Sequence, residues 1–266
     1  MRHKVFRSAI IFLMALYVLQ GCSLFGQRYL SQTMSNTSFE VRDSGNIIGT
    51  ASIVRLQMDN CHYKYLILTA GHVIPRDSRR LTLHTRNNQS YSVDAFYRPI
   101  GLDIALIESK EINNDIRRGV LNNVLILGDS GFEDEDLARD IVVFYFGNRR
   151  PGHDLSTIIP SKGYVINATK KQLWLHAPLV GAGGSGAPVV LNDTHEVIGI
   201  VSRVETRKTY GFETGVVQAV PSNLVSELLR KYDARTGVIS KRFYSDDSNA
   251  GLISDRFCLG IIEARY

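Results

Sequence analysis

Hydrophobic and polar positions divide the 266-residue chain into short segments rich in Val, Ile, Tyr and Phe, separated by turn residues. Such composition and such boundaries are typical of β-strands, and few stretches show the helical spacing of apolar residues. The first series comprises TASIVRLQ, KYLILTAG, LTLHTRN, YSVDAFYRP and DIALIES, and the second comprises IVVFYFGN, STIIPSKGYVIN, QLWLHAP, APVVLN, EVIGIVSR and GVVQAV.

Two runs of about six strands each predict an all-β fold of two six-stranded antiparallel β-barrels with a C-terminal helix. We assign the first barrel to residues 39–128 and the second to 138–221, with an interdomain linker over 129–137. The linker contains the acidic run EDED. We interpret this run as a solvated loop and expect no metal site, because the chain has no second acidic cluster to complete a cage.

One segment after the strands has a clear helical pattern. The stretch PSNLVSELLRKYD begins with Pro221 and Ser222, and its apolar residues recur at positions i, i+1, i+4 and i+5. We predict a helix over residues 222–233 that packs against the second barrel. The C-terminal tail, residues 234–266, has no assignable pattern apart from one candidate strand.

The N-terminus has the features of an export signal over residues 1–21, with a basic start, an apolar run and the sequence QGCS. The apolar run is shorter than the about 20 residues needed to cross a bilayer. Residues 19–22 resemble a bacterial lipobox, which implies lipid attachment at Cys22 and a tether over residues 22–38. We therefore expect a lipid-anchored protein of the cell envelope, facing the periplasm or the exterior, with ordinary secretion as the alternative.

Net charge argues against a nucleic-acid partner. Removal of residues 1–21 takes away three basic residues and no acidic residue, so the formal charge falls from +5 to +2. The remaining chain has no basic stripe, which a nucleic-acid-binding protein would need.

Export leads to an oxidising compartment, where Cys61 and Cys258 either pair or remain as thiols; the sequence leaves both alternatives open.

Three local patterns point to hydrolytic chemistry: LTAGHV around His72, GLDIALIE around Asp103 and GAGGSGAPVV around Ser185. A serine hydroxyl is a poor nucleophile and needs an imidazole to take its proton, and a carboxylate to hold that imidazole. An α/β hydrolase would place its histidine well after the serine. Here the only histidine after Ser185 is His195, in a predicted hairpin turn, and Ala187 replaces the last glycine of the required elbow.

These motifs resemble those of chymotrypsin-fold (trypsin-like) serine proteases of the bacterial HtrA/Deg-like or glutamyl-endopeptidase-like kind, over roughly residues 39–222. The resemblance implies that His72 is the general base, that Asp103 orients it and that Ser185 is the nucleophile. It also implies an oxyanion hole formed by the backbone N–H groups of Gly183 and Ser185. A triad of this kind needs no cofactor, and its substrate is a protein or a peptide.

Gly184 departs from the resembled family, in which digestive members carry aspartate and many Deg-like members asparagine. We therefore expect no activation through a newly cut N-terminus, and we hypothesise a serine loop that lacks a side-chain anchor. Only 45 residues follow Pro221, so no PDZ domain is expected.

Loop alignment assigns the primary substrate pocket to Leu179 and Val180 as its floor and to the segment with Ser202 and Arg203 as its wall. An apolar floor favours cleavage after an apolar residue. Two other functions remain open: a catalytically inactive protease-fold binding protein of the cell envelope, and a purely structural envelope lipoprotein. The natural substrate, the oligomeric state and the choice of inner or outer membrane do not follow from the sequence.

Overall fold

The computed structural model describes residues 34, 36–57, 63–75, 80–99, 101–121, 125–128, 137–147, 158–204, 208–209, 212–213 and 215–227. The strands are β1 (Ser38–Asp43), β2 (Asn46–Gln57), β3 (Tyr63–Thr69), β4 (Leu81–His84), β5 (Ser90–Ser92), β6 (Ala95–Tyr97), β7 (Ala105–Glu108), β8 (Leu125–Leu127), β9 (Asp140–Phe146), β10 (Ile158–Ala168), β11 (Leu173–His176), β12 (Pro188–Leu191), β13 (Glu196–Val204), β14 (Lys208–Thr209), β15 (Phe212–Glu213) and β16 (Val216–Pro221). One α-helix, α1 (Lys110–Arg117), and a 3-10 turn at Gly71–Val73 lie among the strands of the first half.

Six strands of the second half close into an antiparallel barrel. Their order around the ring is β9, β10, β11, β16, β13 and β12, and the pairing of β12 with β9 closes it. Alternate side chains of these strands, among them Val143, Leu175 and Val201, point inward and form one buried cluster. The predicted second barrel is thus confirmed.

Seven strands of the first half form an antiparallel sheet in the order β5, β4, β1, β2, β3, β7 and β6. The sheet curls, since Phe39, Leu83 and Ile107 from strands far apart in this order belong to one buried cluster. Within the described part of the chain, the edge strands β5 and β6 do not pair with each other. The structure therefore shows one closed barrel, and the two closed barrels that we predicted are not both present as hydrogen-bonded rings.

A third cluster joins the two halves. Strand β8 pairs in parallel with β2 of the first half and with β13 of the second. Beneath it, Leu106 from the first half and Phe144 from the second half belong to the same buried cluster, together with Met34 and Val225. The two halves consequently share a core, and the candidate site lies along their junction.

Two local features differ from the sequence predictions. Helix α1 was not predicted; it begins after Ser109, whose hydroxyl accepts a hydrogen bond from the Ile112 N–H at 3.4 Å. The predicted tether extends to residue 38, yet Met34 is buried in the shared core and strand β1 begins at Ser38. Apolar burial of Met34 stabilises this end of the segment against the domain.

Residues 222–227 are helical, and Val225 is buried in the shared core. The rest of the predicted helix, the signal segment with Cys22, the acidic run of the linker, Cys61, Cys258 and the C-terminal tail lie outside the described residues. In the described part of the chain, none of the helices has the length and apolar character that a membrane span requires.

Candidate active site

His72 lies just after β3, in the 3-10 turn that begins at Gly71. Its neighbours Ala70 and Val73 are buried, which anchors the turn, while about half of the His72 side chain remains exposed. A Cβ atom on Gly71 would lie 3.1 Å from the Oδ1 atom of Asp103. Glycine at this position therefore allows the carboxylate to approach the backbone of the histidine.

Asp103 binds the histidine at two points. Its Oδ1 atom accepts the backbone N–H of His72 at 2.9 Å, and its Oδ2 atom lies 2.9 Å from the Nδ1 atom of His72. Since an ionised carboxylate only accepts hydrogen bonds, this contact places the ring proton on Nδ1 and leaves Nε2 as the acceptor.

Ser202 donates a third hydrogen bond, from its hydroxyl to Asp103 Oδ2, at 2.5 Å. Burial by itself would raise the pKa of Asp103, but the hydrogen bonds from the His72 ring, from Ser202 and from the His72 backbone outweigh it and lower the pKa to about 2. The carboxylate thus stays ionised at neutral pH. We predicted Ser202 only as a pocket wall; its contact with Asp103 joins residues 99 positions apart, and no local sequence signal indicates it.

Ser185 stands in a tight loop between the two halves. The Gly184 N–H donates to the Gly181 carbonyl at 2.9 Å, and the Ala187 N–H donates to the Gly184 carbonyl at 3.0 Å. Gly183 has a φ of 92°, and a Cβ atom there would lie 2.2 Å from the carbonyl oxygen of Phe146. Only glycine fits both the backbone conformation and the space at this position.

Gly184 is also required by packing. A Cβ atom on Gly184 would lie 2.6 Å from Cγ1 of Val180 and 3.0 Å from the Gly181 carbonyl oxygen. The aspartate of digestive members or the asparagine of many Deg-like members would therefore force Val180 or the loop to shift. Glycine at position 184 thus matches the close packing of this loop.

Thr50, in β2, anchors the serine loop. Its hydroxyl donates to the Gly183 carbonyl at 2.7 Å and accepts the Phe146 N–H at 3.0 Å, and its own N–H donates to the Ser185 carbonyl at 2.9 Å. Thr69 in turn donates its hydroxyl to the Thr50 carbonyl at 2.7 Å. The loop therefore has a side-chain anchor, contrary to our hypothesis, although it comes from a distant strand that the sequence motifs do not include.

His72, Asp103 and Ser185 line one open cleft with a volume of about 730 Å³. In the part of the chain that the structure describes, neither the Gly183 N–H nor the Ser185 N–H has a hydrogen-bond acceptor. By contrast, the N–H groups of Gly184 and Gly186 donate to backbone carbonyls. The remaining lining residues are Gly181, Ala182, Gly183, Ser202, Arg203, Val204 and Gln218. The cleft thus contains Ser185, a histidine that Asp103 holds in place, and two backbone N–H groups that have no acceptor.

The predicted pocket floor does not reach this cleft. Leu179 is 60% exposed, and Val180, only 2% exposed, packs in the core of the closed barrel. The loop is held in this position because the Tyr145 hydroxyl donates to the Leu179 carbonyl and the Leu179 N–H donates to the Ser161 hydroxyl. Of the four predicted pocket residues, only Ser202 and Arg203 line the cleft.

Among the described residues, no group of three or more His, Cys, Asp or Glu side chains is arranged to hold a metal ion.

Comparison with known proteins agrees with this geometry at the level of the family. A search of curated proteins finds no match to the chain. The family model of the trypsin-like peptidase domain matches residues 49–200, a stretch that includes His72, Asp103 and Ser185 and ends just before Ser202. Because this match spans more than half of the chain, the protein belongs to the trypsin-like peptidase domain family, a family of serine-protease-type hydrolases.

Proposed function

We propose that the protein is a serine endopeptidase that cleaves peptide bonds through His72, Asp103 and Ser185. The observation that supports this most strongly is the double contact of Asp103 with His72, at 2.9 Å to the ring and 2.9 Å to the backbone, in a cleft that Ser185 also lines. A protease domain acts on proteins or peptides, so the substrate is a polypeptide.

The reaction begins when Nε2 of His72 takes the hydroxyl proton of Ser185 as Oγ bonds to the carbonyl carbon of the substrate. The carbonyl oxygen becomes an oxyanion, and the Gly183 and Ser185 N–H groups donate hydrogen bonds to it. Asp103 remains ionised, because its pKa is about 2, and it stabilises the imidazolium that forms.

Collapse of this intermediate breaks the C–N bond, and His72 returns the proton to the leaving amine. A water molecule then attacks the acyl-enzyme, with His72 as base, and releases the new carboxylate and the serine. Every proton removed is thus returned, so the protein is unchanged at the end of a cycle and needs no cofactor.

Intact-mass detection of a fluorophosphonate adduct on the purified full chain tests this proposal. We expect one adduct in the wild type, none in Ser185→Ala and none in His72→Ala. Ser92→Ala, at an exposed serine of β5, is the matched control and should label like the wild type. Absence of an adduct on the folded wild type would overturn the proposal and favour a catalytically inactive binding protein.

The finer assignments form part of the same proposal. We propose that the curled sheet of the first half is the first of the two barrels of a chymotrypsin-like fold, since one buried cluster fills its concave side. We propose membership of the HtrA/Deg-like or glutamyl-endopeptidase-like kind because of the TAGHV, DIALIE and GGSGAPVV motifs.

We also propose that the protein is exported and anchored by lipid at Cys22 in the cell envelope. The basic start, the short apolar run and the lipobox-like residues 19–22 support this. Growth with an alkyne-bearing fatty acid should label the wild-type protein and leave Cys22→Ala unlabelled. Equal labelling of both proteins would contradict the anchor.

A further inference from the structure

The segment that leads into the serine loop begins with a tight turn over residues 177–180. The Val180 N–H donates to the Ala177 carbonyl at 3.0 Å, and the Ala177 N–H donates to the Gly215 carbonyl at 2.8 Å, so both ends of the turn are bonded. In a turn closed by such a hydrogen bond, the backbone groups of the corner residue do not bond within the turn. Leu179 at the corner therefore takes its hydrogen-bond partners from other elements.

Two buried hydroxyl groups from inside the closed barrel bond to Leu179. The Tyr145 hydroxyl of β9 donates to the Leu179 carbonyl, and the Leu179 N–H donates to the Ser161 hydroxyl of β10 at 3.2 Å. Tyr145 is only 4% exposed and Ser161 is fully buried, and Ser161 is two residues along β10 from the position opposite Tyr145. The cluster that fills the barrel is apolar, and buried hydroxyl groups need hydrogen-bond partners. Both hydroxyls find one in the backbone of the same residue.

The turn packs directly against the serine loop. Val180 is 2% exposed, and a Cβ atom on Gly184 would lie 2.6 Å from its Cγ1 atom. The same Cβ position is 3.8 Å from Cδ2 of Tyr145, so the aromatic ring lies against the loop while its hydroxyl holds the turn. The Gly183 and Ser185 N–H groups are on either side of Gly184, and their directions depend on where this packing places it.

Few other hydrogen bonds hold this segment. Among the described residues, the two bonds of Leu179 are the only hydrogen bonds that join residues 178–182 to another element; the Val180 and Gly184 N–H groups donate to carbonyls close by in the chain. Gly181 and Gly184 within and beside it have little intrinsic preference for one backbone conformation. The position of this segment therefore depends strongly on the two hydroxyls.

We propose that Tyr145 is a positioning residue for catalysis, and that its hydroxyl, together with that of Ser161, holds the 177–180 turn so that the oxyanion-binding N–H groups keep their direction. This inference rests on the proposed peptidase activity. Neither Tyr145 nor Ser161 lines the cleft, so both act through the backbone of Leu179 and do not contact the substrate. Leu179, which we predicted as a pocket floor, is instead the point at which the loop is attached to the barrel.

Tyr145→Phe in the full chain tests the hydroxyl alone, since phenylalanine keeps the ring that lies against the loop. We measure the rate of fluorophosphonate labelling, and kcat and KM for the peptide of a random library that the wild type cleaves best. The labelling rate and kcat should each fall by about tenfold, because misdirected oxyanion donors stabilise the transition state less well. KM should stay close to the wild-type value. A variant that was merely less folded would lose activity only in proportion to its folded fraction, which far-UV circular dichroism measures.

Tyr91→Phe is the matched control. Tyr91 is 3% exposed, and its hydroxyl donates to Asp115 at 2.9 Å in the first half of the chain, outside the cleft. This variant also loses a buried tyrosine hydroxyl, yet its labelling rate and kcat should remain within about twofold of the wild type, because the site is independent of this contact. Ser161→Ala removes the second contact to Leu179 and should lower kcat with KM little changed, which tests the proposal even if Tyr145→Phe does not fold.

Three outcomes would overturn the positioning role while the peptidase proposal stands. They are a folded Tyr145→Phe protein that labels and cleaves like the wild type, an equal loss of activity in Tyr91→Phe, and a rise in KM with unchanged kcat. If the wild type labels but cleaves no library peptide, the labelling rates of the same variants decide between these results. A wild-type protein that neither labels nor cleaves would overturn the peptidase proposal itself, so the two failures are distinguishable.

Discussion

At the scale of single residues, electrostatic control of the site converges on Asp103. Its two oxygens accept hydrogen bonds from the His72 backbone, the His72 ring and the Ser202 hydroxyl. These donors stabilise the ionised carboxylate, which holds the histidine in the tautomer that accepts a proton at Nε2. The role of the histidine therefore depends on a carboxylate that remains charged over the working pH range.

Asp103→Asn tests this dependence through activity. The amide keeps the size of the side chain but does not hold the same tautomer, and we expect kcat to fall by about 10⁴-fold with folding retained. Peptide cleavage under saturating substrate measures this effect. A decrease of less than about tenfold would show that Asp103 does not orient His72.

The same residue makes stability depend on acid. The pKa of Asp103 is about 2 in the folded protein and about 3.9 in an unfolded chain. Ionised Asp103 hence contributes stability that is fully present above about pH 4 and is lost as the pH falls towards 2. Urea unfolding of wild type and Asp103→Asn across this range should give a smaller loss of stability on acidification in the variant. Parallel curves would contradict this assignment.

Gly183 tests the backbone of the serine loop. Its φ is 92°, and a Cβ atom on it would lie 2.2 Å from the Phe146 carbonyl oxygen, so we expect Gly183→Ala to strain the loop by about 1–3 kcal/mol. Denaturant unfolding should show a destabilisation of this size, and fluorophosphonate labelling should fall with it. Gly181→Ala, where a Cβ atom would meet nothing within 4 Å, is the control for stability.

At the scale of elements, β2 of the first half positions the serine loop, which lies between β11 and β12 of the second half. The Thr50 hydroxyl donates to the Gly183 carbonyl and accepts the Phe146 N–H of β9. The Thr50 N–H donates to the Ser185 carbonyl. Strand β13 positions Asp103 in a similar way. Its register with β16 shifts between Val201 and Arg203, which makes Ser202 the additional residue of a β-bulge, and the Ser202 hydroxyl donates to Asp103. Each functional side chain is therefore held by an element other than its own.

Thr50→Val isolates the hydroxyl of this anchor. Valine keeps the shape of the side chain but leaves the Gly183 carbonyl and the Phe146 N–H without their partner. We expect kcat to fall by about tenfold with KM little changed, because the oxyanion hole acts mainly in the transition state. Thr50→Ser retains the hydroxyl and should restore most of the activity. An equal loss in both variants would indicate a packing defect instead of a positioning role.

At the scale of the whole molecule, a shared core and one bridging strand connect the two halves. Leu106 and Phe144 come from different halves but belong to one buried cluster, and β8 pairs with a strand of each half. Since the cleft lies at this junction, relative movement of the halves would separate the histidine and aspartate from the serine loop. We therefore expect the two halves to unfold together.

Phe144→Ala tests this cooperation. Loss of a buried phenylalanine should lower the free energy of unfolding by about 3–5 kcal/mol. The fluorescence of Trp174, the single tryptophan, reports on the closed barrel, and far-UV circular dichroism reports on the whole chain. Both signals should shift together to lower denaturant concentration, and separate transitions would show that the halves unfold independently. Val120→Ala, at an exposed position, should leave both signals unchanged.

Much of the fold and the central residues of the candidate site follow from the sequence. Short segments rich in Val, Ile, Tyr and Phe, bounded by turn residues, predicted most of the strands, and the closed barrel is confirmed. The motifs that contain His72, Asp103 and Ser185 are short and contiguous, and their order along the chain indicated a serine hydrolase, in agreement with the family match. These features are local, so the sequence by itself determined them.

Strand register and long-range contacts were decided only by the tertiary structure. A period of two predicts which face a residue occupies but not where the pairing shifts by one residue, so the bulge that directs Ser202 and Arg203 into the cleft was not predicted. The Thr50–Gly183 hydrogen bond joins positions 133 residues apart, and the core position of Val180 depends on how the barrel closes. The sequence thus determined which groups are present at the site, while packing and register determined which of them line the cleft.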